Sequence, residues 1–208
     1  MNVIFGIDPG LKGGVSVIIG NEMKFAFPIP VKNDEIDFTR LFVEISKIRD
    51  YVRQNYKQPV SYYGFIEKVG AMPGQGVVSM FTFGSGYGGV KSVLRLHMPL
   101  ESVTPQSWKK EVLQNYDWKQ KVDKLVIPKD ASKEKIKELK KEHNKLKTEA
   151  KKRAKDISIQ YVNDNFPHID LRYGCKVQKD GLADACCIAV YGAIQIDSSL
   201  KKYFLKKY

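Results

Sequence analysis

The chain opens on an apolar run, Val3-Ile4-Phe5-Gly6-Ile7, that ends on a single acid, Asp8, and turns at Pro9-Gly10. Residues so rich in β-branched and aromatic side chains suit a buried central strand. Two more apolar stretches follow within a few residues. The pattern predicts strands over 2–8, 14–19 and 23–28, joined at Gly13-Gly14 and Gly20-Asn21 into a meander. The period then changes. Leu41, Ile45, Ile48 and Val52 recur at helical spacing with charges between them, which predicts a helix from about 37 to 56, stopped at Lys57-Gln58-Pro59. A second apolar strand, 61–66, ends on Glu67. A strand reached through a helical crossover can lie parallel to the first in one sheet. Asp8 and Glu67 are then expected side by side at one edge of that sheet.

Residues 70–89 are glycine-rich, and Gly84, Gly86 and Gly89 formally match GxGxxG. No strand precedes them and no acid closes a following strand, so a dinucleotide site is not expected. Val77 to Val93 reads as a helix whose small residues permit close packing, as at a dimer face. A strand is predicted over 99–103. Thr104 and Pro105 then start a short helix as N-cap and first residue. Trp108, Val112 and Leu113 form its apolar face, and Lys109 and Lys110 project where they could reach phosphate.

Charge dominates 119–156, with Lys147, Lys151 and Lys152 among many lysines and Glu134, Glu138 and Glu142 four apart. Such spacing supports a solvated helix with internal ion pairs. The concentrated lysine excess supports a basic arm laid on nucleic acid. Ile157, Tyr161 and Phe166 return this helix to the core, and Asn165-Phe166-Pro167 ends it. The last motif, 179–190, is a helix of small and apolar residues interrupted by Asp184, with Asp180 one turn earlier. An acid inside an apolar helix calls for a metal or a base as partner. Asp180 is either a partner in the same site or the N-cap of the helix. The tail, 201–208, is expected at the surface.

With 208 residues the chain can bury the core of one sizeable α/β domain. No 18-residue apolar run predicts a membrane span, and no membrane partner is expected. A strand at the N-terminus without a basic leader predicts no secretory signal. Cys175, Cys186 and Cys187 lack paired CxxC spacing and fit a reducing compartment, hence the cytoplasm. The net charge of +12 points to a polyanion, nucleic acid above all. Asp8, Glu67, Asp184 and Asp180 make an oxygen-only donor set without histidine, which suits Mg²⁺, with Mn²⁺ as a substitute. Such ions can activate a water and stabilise the leaving oxygen of a phosphodiester. A basic chain with these acids reads most simply as a metal-dependent nuclease.

Four stretches, Ile7-Asp8-Pro9-Gly10, Ile66-Glu67-Lys68-Val69, Thr104-Pro105-Gln106-Ser107-Trp108-Lys109 and Asp180-Gly181-Leu182-Ala183-Asp184-Ala185, resemble the motifs of the RuvC family of Holliday-junction resolvases, its bacteriophage branch most. The resemblance covers most of the chain in order, with a lysine-rich helical insertion at about 115–156. It implies a ribonuclease-H-like fold: a five-stranded mixed sheet, first three strands antiparallel, flanked by helices. It further implies a homodimer that nicks two opposed strands of a four-way junction with Mg²⁺, leaving a 5′-phosphate and a 3′-hydroxyl. By resemblance Asp8, Glu67 and Asp184 are metal ligands, and Lys109 and Lys147 match basic DNA-contacting positions. The family commonly carries a further ligand three residues before the last aspartate. Here that residue is Gly181, and the nearest acid is Asp180. Three residues after the strand glutamate, where some relatives carry an aromatic, stands Gly70.

Three other readings remain open on sequence. One is an endonuclease for branched DNA or RNA–DNA hybrids with no preference for four-way junctions. Another is a non-catalytic branched-DNA-binding protein on the same fold, although such a protein gains nothing from acids in a DNA groove. The third is an ATP-binding relative of the sugar kinases, suggested by Asp8-Pro9-Gly10, for whose two-domain build the chain is short.

Overall fold

In the computed structural model, which describes residues 1–70, 74, 76–118, 122–128 and 131–205 without the side chains at 151, 154 and 155, the apolar pattern sorts onto the two faces of one sheet. Strands β1 (Asn2–Asp8), β2 (Gly14–Ile19) and β3 (Glu22–Pro28) form the expected antiparallel meander. Two short strands, β4 (Val31–Lys32) and β5 (Glu35–Ile36), make a hairpin that the apolar pattern does not announce. Its turn residues Asn33 and Asp34 both have positive φ, 52° and 60°, as a tight two-residue hairpin demands. Helix α1 (Phe38–Asn55) starts at Asp37, whose carboxylate accepts the Arg40 N–H at 2.9 Å.

Strand β6 (Ser61–Glu67) returns parallel to β1. Helix α2 (Val77–Arg95) leads to β7 (Leu100–Val103), parallel to β6. Then follow α3 (Pro105–Val112), α4 (Lys133–Asn165), α5 (Asp180–Ile196), a 3₁₀ turn at Ser198–Leu200 and α6 (Lys201–Phe204). The strand order β3-β2-β1-β6-β7, with helices on both faces, is the ribonuclease-H-like arrangement. Among the described residues no helix is long and apolar enough to cross a membrane.

Side-chain alternation along β1 decides what each face holds. Val3, Phe5 and Ile7 pack with Leu41, Ile45 and Val52 of α1 and Leu94 of α2. Ile4 points the other way, as does Phe65 of β6, into a core made with Trp108, Tyr161, Leu182 and Cys186. Helix α5 lies close against β1. A Cβ on Gly6 would stand 2.1 Å from the backbone nitrogen of Ala189, so the helix backbone rests where only glycine leaves room. Ser16 Oγ donates to the Ala185 carbonyl at 2.8 Å, which ties the same helix to β2. Cys186 and Cys187 are buried here as small apolar residues, and burial pushes the Cys186 thiol up to about 12.

Two boundaries differ from the sequence reading. Of the lysine-rich stretch, 115–118 and 122–128 carry neither helix nor strand; the helix begins at Lys133, capped by Ser132 Oγ accepting the Lys135 N–H at 3.2 Å. It then runs unbroken to Asn165, so one helix holds both the solvated lysines and the buried Ile157 and Tyr161. The tail is not all surface. Phe204 is buried, and its carbonyl accepts the Tyr161 hydroxyl at 2.8 Å, because this aromatic covers the open end of the α4–α5 core. Lys206, Lys207 and Tyr208 lie outside the described residues.

Candidate active site

The face on which Ile4 and Gly6 meet α5 is, by alternation, also the face of Asp8. Phe65 puts Glu67 on that face of β6 for the same reason. Ile7 pairs with Ile66 across the parallel ladder, so Asp8 and Glu67 leave adjacent strands at the same level. The sequence expectation of two acids at one sheet edge is met. Asp184 comes from the first turns of α5, the helix pressed onto this face, and is half-buried between Ala183 and Ala185, which are fully buried.

The electrostatics follow from this crowding. Burial, then the charges of Asp184 and Glu67, raise the Asp8 carboxyl to about 7; a hydrogen bond from the Gly10 N–H at 3.3 Å works against the shift, and Asp180 adds to it. Burial also raises Glu67, followed in the same direction by Asp184, while two groups from α3 oppose it. The indole N–H of Trp108 donates to Glu67 Oε2 at 2.9 Å. The Lys109 ammonium, 4.9 Å from the centre of the Trp108 ring, lowers the Glu67 carboxyl by its charge. The Thr104 cap sets this helix: its hydroxyl accepts the Ser107 N–H at 3.2 Å, with Pro105 in the first turn. Trp108 was read from sequence only as an apolar face. Its second role, fixing one oxygen of Glu67, is invisible in spacing because the two residues meet only across the fold.

Asp180 does not cap α5. The flanking position is Lys179, and Asp180 is the first helical residue, where its charge suits the helix dipole and is felt at Asp8. Gly181 explains the departure at the position three before Asp184. A Cβ there would stand 2.3 Å from the Lys12 carbonyl oxygen, 2.8 Å from Gly13 Cα and 2.8 Å from Asp8 Oδ2. No side chain, acidic or otherwise, fits between α5 and the loop after β1. Among the described residues no three His, Cys, Asp or Glu are gathered tightly enough to hold a metal ion as they stand. The donor chemistry nevertheless fits a hard cation: carboxylates come from two strand ends and a helix, Asp184 raises both Asp8 and Glu67, and Glu67 raises Asp8, a repulsion that a positive ion would relax.

Of the basic residues singled out from sequence, Lys109 stands beside Glu67, and Lys110, one position on, is exposed. Lys147 and Lys152 are exposed on α4, and the side chain of Lys151 lies outside the described residues. A groove beside the Asp8 loop is lined by Pro9 and Leu11 together with Val78 and Phe81 of α2.

No protein-family model and no curated protein matches the chain. Solved structures similar to it include RuvC of Thermus thermophilus in complex with a Holliday junction substrate, at 14% identity and a TM-score of 0.48, over 96% of this chain and 98% of that one. Another is Thermus thermophilus RuvC, at 14% identity and a TM-score of 0.45, over 95% and 97% of the two chains. A third is the yeast mitochondrial Holliday junction resolvase Ydc2, at 16% identity and a TM-score of 0.38, over 97% and 81%. Likeness of this degree describes a general build and assigns no residue.

Proposed function

We propose that the protein is a metal-dependent endonuclease that resolves Holliday junctions and related branched DNA by paired nicks. The observation that carries this reading is the meeting of Asp8, Glu67 and Asp184 at one sheet edge, where burial and then the charges of Asp184 and Glu67 raise Asp8 to about 7, in a chain of net charge +12. A strand end that stores repelling carboxylates is costly unless a cation binds there. Asp8, Glu67 and Asp184 would hold Mg²⁺, or Mn²⁺ in its place, with Asp180 at the rim of the set. When bound there, such an ion would supply Lewis acidity for phosphodiester hydrolysis. Trp108 holds Glu67 Oε2 and so fixes how the other oxygen faces the site. Lys109 sets a positive charge where a phosphate would come to rest. Lys110, Lys147, Lys151 and Lys152 extend that charge to the flanking backbone of the DNA.

Paired nicks need two subunits. Val77, Val78 and Phe81 of α2 are 79%, 79% and 78% exposed beside the groove at the Asp8 loop, an apolar patch that supports a homodimer seated there. The motif resemblance adds the bacteriophage branch and action on DNA in the host cytoplasm.

The test is cleavage of a labelled four-way junction in Mg²⁺, beside a fork and a linear duplex. Symmetric paired nicks in the junction are expected. Cutting of every branched substrate alike would reduce the reading to a general branched-DNA endonuclease. Tight, salt-sensitive binding without cutting in either metal would leave a DNA-binding protein.

A further inference from the structure

The end of the sheet opposite the carboxylates carries a second concave site. A cavity of about 660 Å³ opens between the last turns of α1, the start of β6 and the turn after α2. Tyr62, in its wall, precedes Glu67 by five strand residues, so the cavity lies roughly 16 Å down the sheet from the acids. Its size falls in the range of small-ligand sites, about 300–1,000 Å³.

The walls divide by chemistry. Arg49, Arg53 and Lys57 line one side, with Asp50 as the acid in the lining. Arg53 engages that acid at 3.1 Å, which leaves the cavity an excess of positive charge. Arg49 lies over the Tyr62 ring with its guanidinium carbon 4.9 Å from the ring centre. That contact uses the face of the guanidinium and leaves its N–H edge available for a planar or bidentate acceptor. The lining also has an apolar part: Phe42 is 41% exposed and Leu96 is 73% exposed. Phe42 and the basic residues of α1 share one helical face, at positions 42, 49 and 53.

His97 joins the two walls. Its ring packs on Phe42 at 4.6 Å between centres. Its Nε2 is buried and has no hydrogen-bond partner among the described residues. Burial, then the Arg49 charge, lower the pKa of this ring from the usual histidine value.

We propose that this cavity is a second ligand site, distinct from the carboxylate edge, that takes a nucleotide unit: its phosphate on Arg49, Arg53 and Lys57, its base against Phe42 and Leu96. Inorganic phosphate would leave the apolar wall uncovered, and a nucleoside would leave the basic wall unused. The unit can be a free mononucleotide or the 5′-phosphorylated end of a DNA strand.

The test is calorimetric titration of the full chain in EDTA, so that no divalent ion bridges ligand to the acids. The probes are dAMP, inorganic phosphate, 2′-deoxyadenosine and a 5′-phosphorylated oligo(dA). At least one nucleotide probe is expected to bind about tenfold or more tightly than either phosphate or deoxyadenosine, about 1.4 kcal/mol. Arg49→Gln and Arg53→Gln each weaken it about fivefold or more, whereas Lys133→Gln, which removes the same charge from α4, does not. Preference for dAMP identifies the free nucleotide as ligand, and preference for the oligonucleotide identifies the strand end. Arg53 is exposed, so its variant melts with the wild type. Equal binding of phosphate and dAMP, wild-type affinity in both arginine variants, or no binding by any probe overturns the proposal.

Discussion

The carboxylate edge and the lysine helix are built by opposite means. At the edge, every acid is positioned by packed backbone: β1 and β6 set the level of Asp8 and Glu67, and α5, seated on Gly6, sets Asp184. Like charges are forced together, and the core bears the cost. Along α4 the lysines are held by little besides the helix and pairs such as Lys135 with Glu138 at 2.7 Å, both more than half exposed. Exposed pairs of this kind are screened by water and salt and add little to stability. One region is precise and electrostatically strained; the other is adaptable and solvated. Metal-assisted chemistry needs the first property, and a hold on a long, regular polyanion needs only the second.

The sharpest way to break the contrast is within α5 itself. Asp184→Asn is expected to lower cleavage about a thousandfold or more, about 4 kcal/mol of transition-state stabilisation. Asp180→Asn, one turn away at the helix start, is expected to cost about tenfold. Single-turnover rates on a four-way junction measure both, and equal losses would place Asp180 fully in the set.

The next effect is on the scaffold. Gly181→Ala forces a methyl against the Lys12 carbonyl and the Asp8 carboxylate. It should destabilise the protein by about 2–3 kcal/mol, although alanine is the better helix former. A melting temperature about 5–10 °C lower is expected. An unchanged melt would mean that α5 moves away easily.

Acidity then separates strain from packing. Asp8 titrates near 3.8 in an ordinary setting and near 7 in the fold, so the folded chain keeps a proton that the unfolded chain releases. Stability of the metal-free protein is therefore greatest below about pH 4 as far as this group is concerned. It falls as pH rises towards 7, by on the order of 2–4 kcal/mol after allowance for the water that reaches this half-buried side chain. Asp8→Asn should flatten the loss in melts run in EDTA, and Mg²⁺ should restore the wild type by binding the folded state. A wild-type profile without this slope would place Asp8 in a wetter, less crowded site.

The smallest effect belongs to the helix. Lys147→Gln with Lys152→Gln should leave the melting temperature within about 1–2 °C, since both side chains are exposed. Junction binding should weaken and its dependence on log salt should flatten by about two. An unaltered slope would make α4 a solvated surface helix without a DNA contact.

The meander, the parallel return and the Asp8–Glu67 level were legible in the chain because they rest on local period: alternation along strands, i to i+4 recurrence along α1, and turn residues between. Thr104 and Pro105 likewise declared a helix start, since capping is local chemistry, whereas the cap at Asp37 was not read from the chain. The β4–β5 hairpin escaped because its strands are two residues long and carry no period. Phe204 escaped because an aromatic between lysines looks exposed until something across the fold covers it.

What the sequence determined by itself was the set of elements, the acids that end or interrupt them, and a charge balance that asks for a polyanion. Only the tertiary structure decided that Trp108 reaches Glu67, that Gly181 is glycine because Asp8 and the Lys12 carbonyl stand behind it, and that His97 closes a cavity with Arg49 and Phe42. The reason is range. Propensity, periodicity and capping act over about four residues, whereas the pKa of a carboxyl or the room for a methyl depends on atoms brought together from distant parts of the chain.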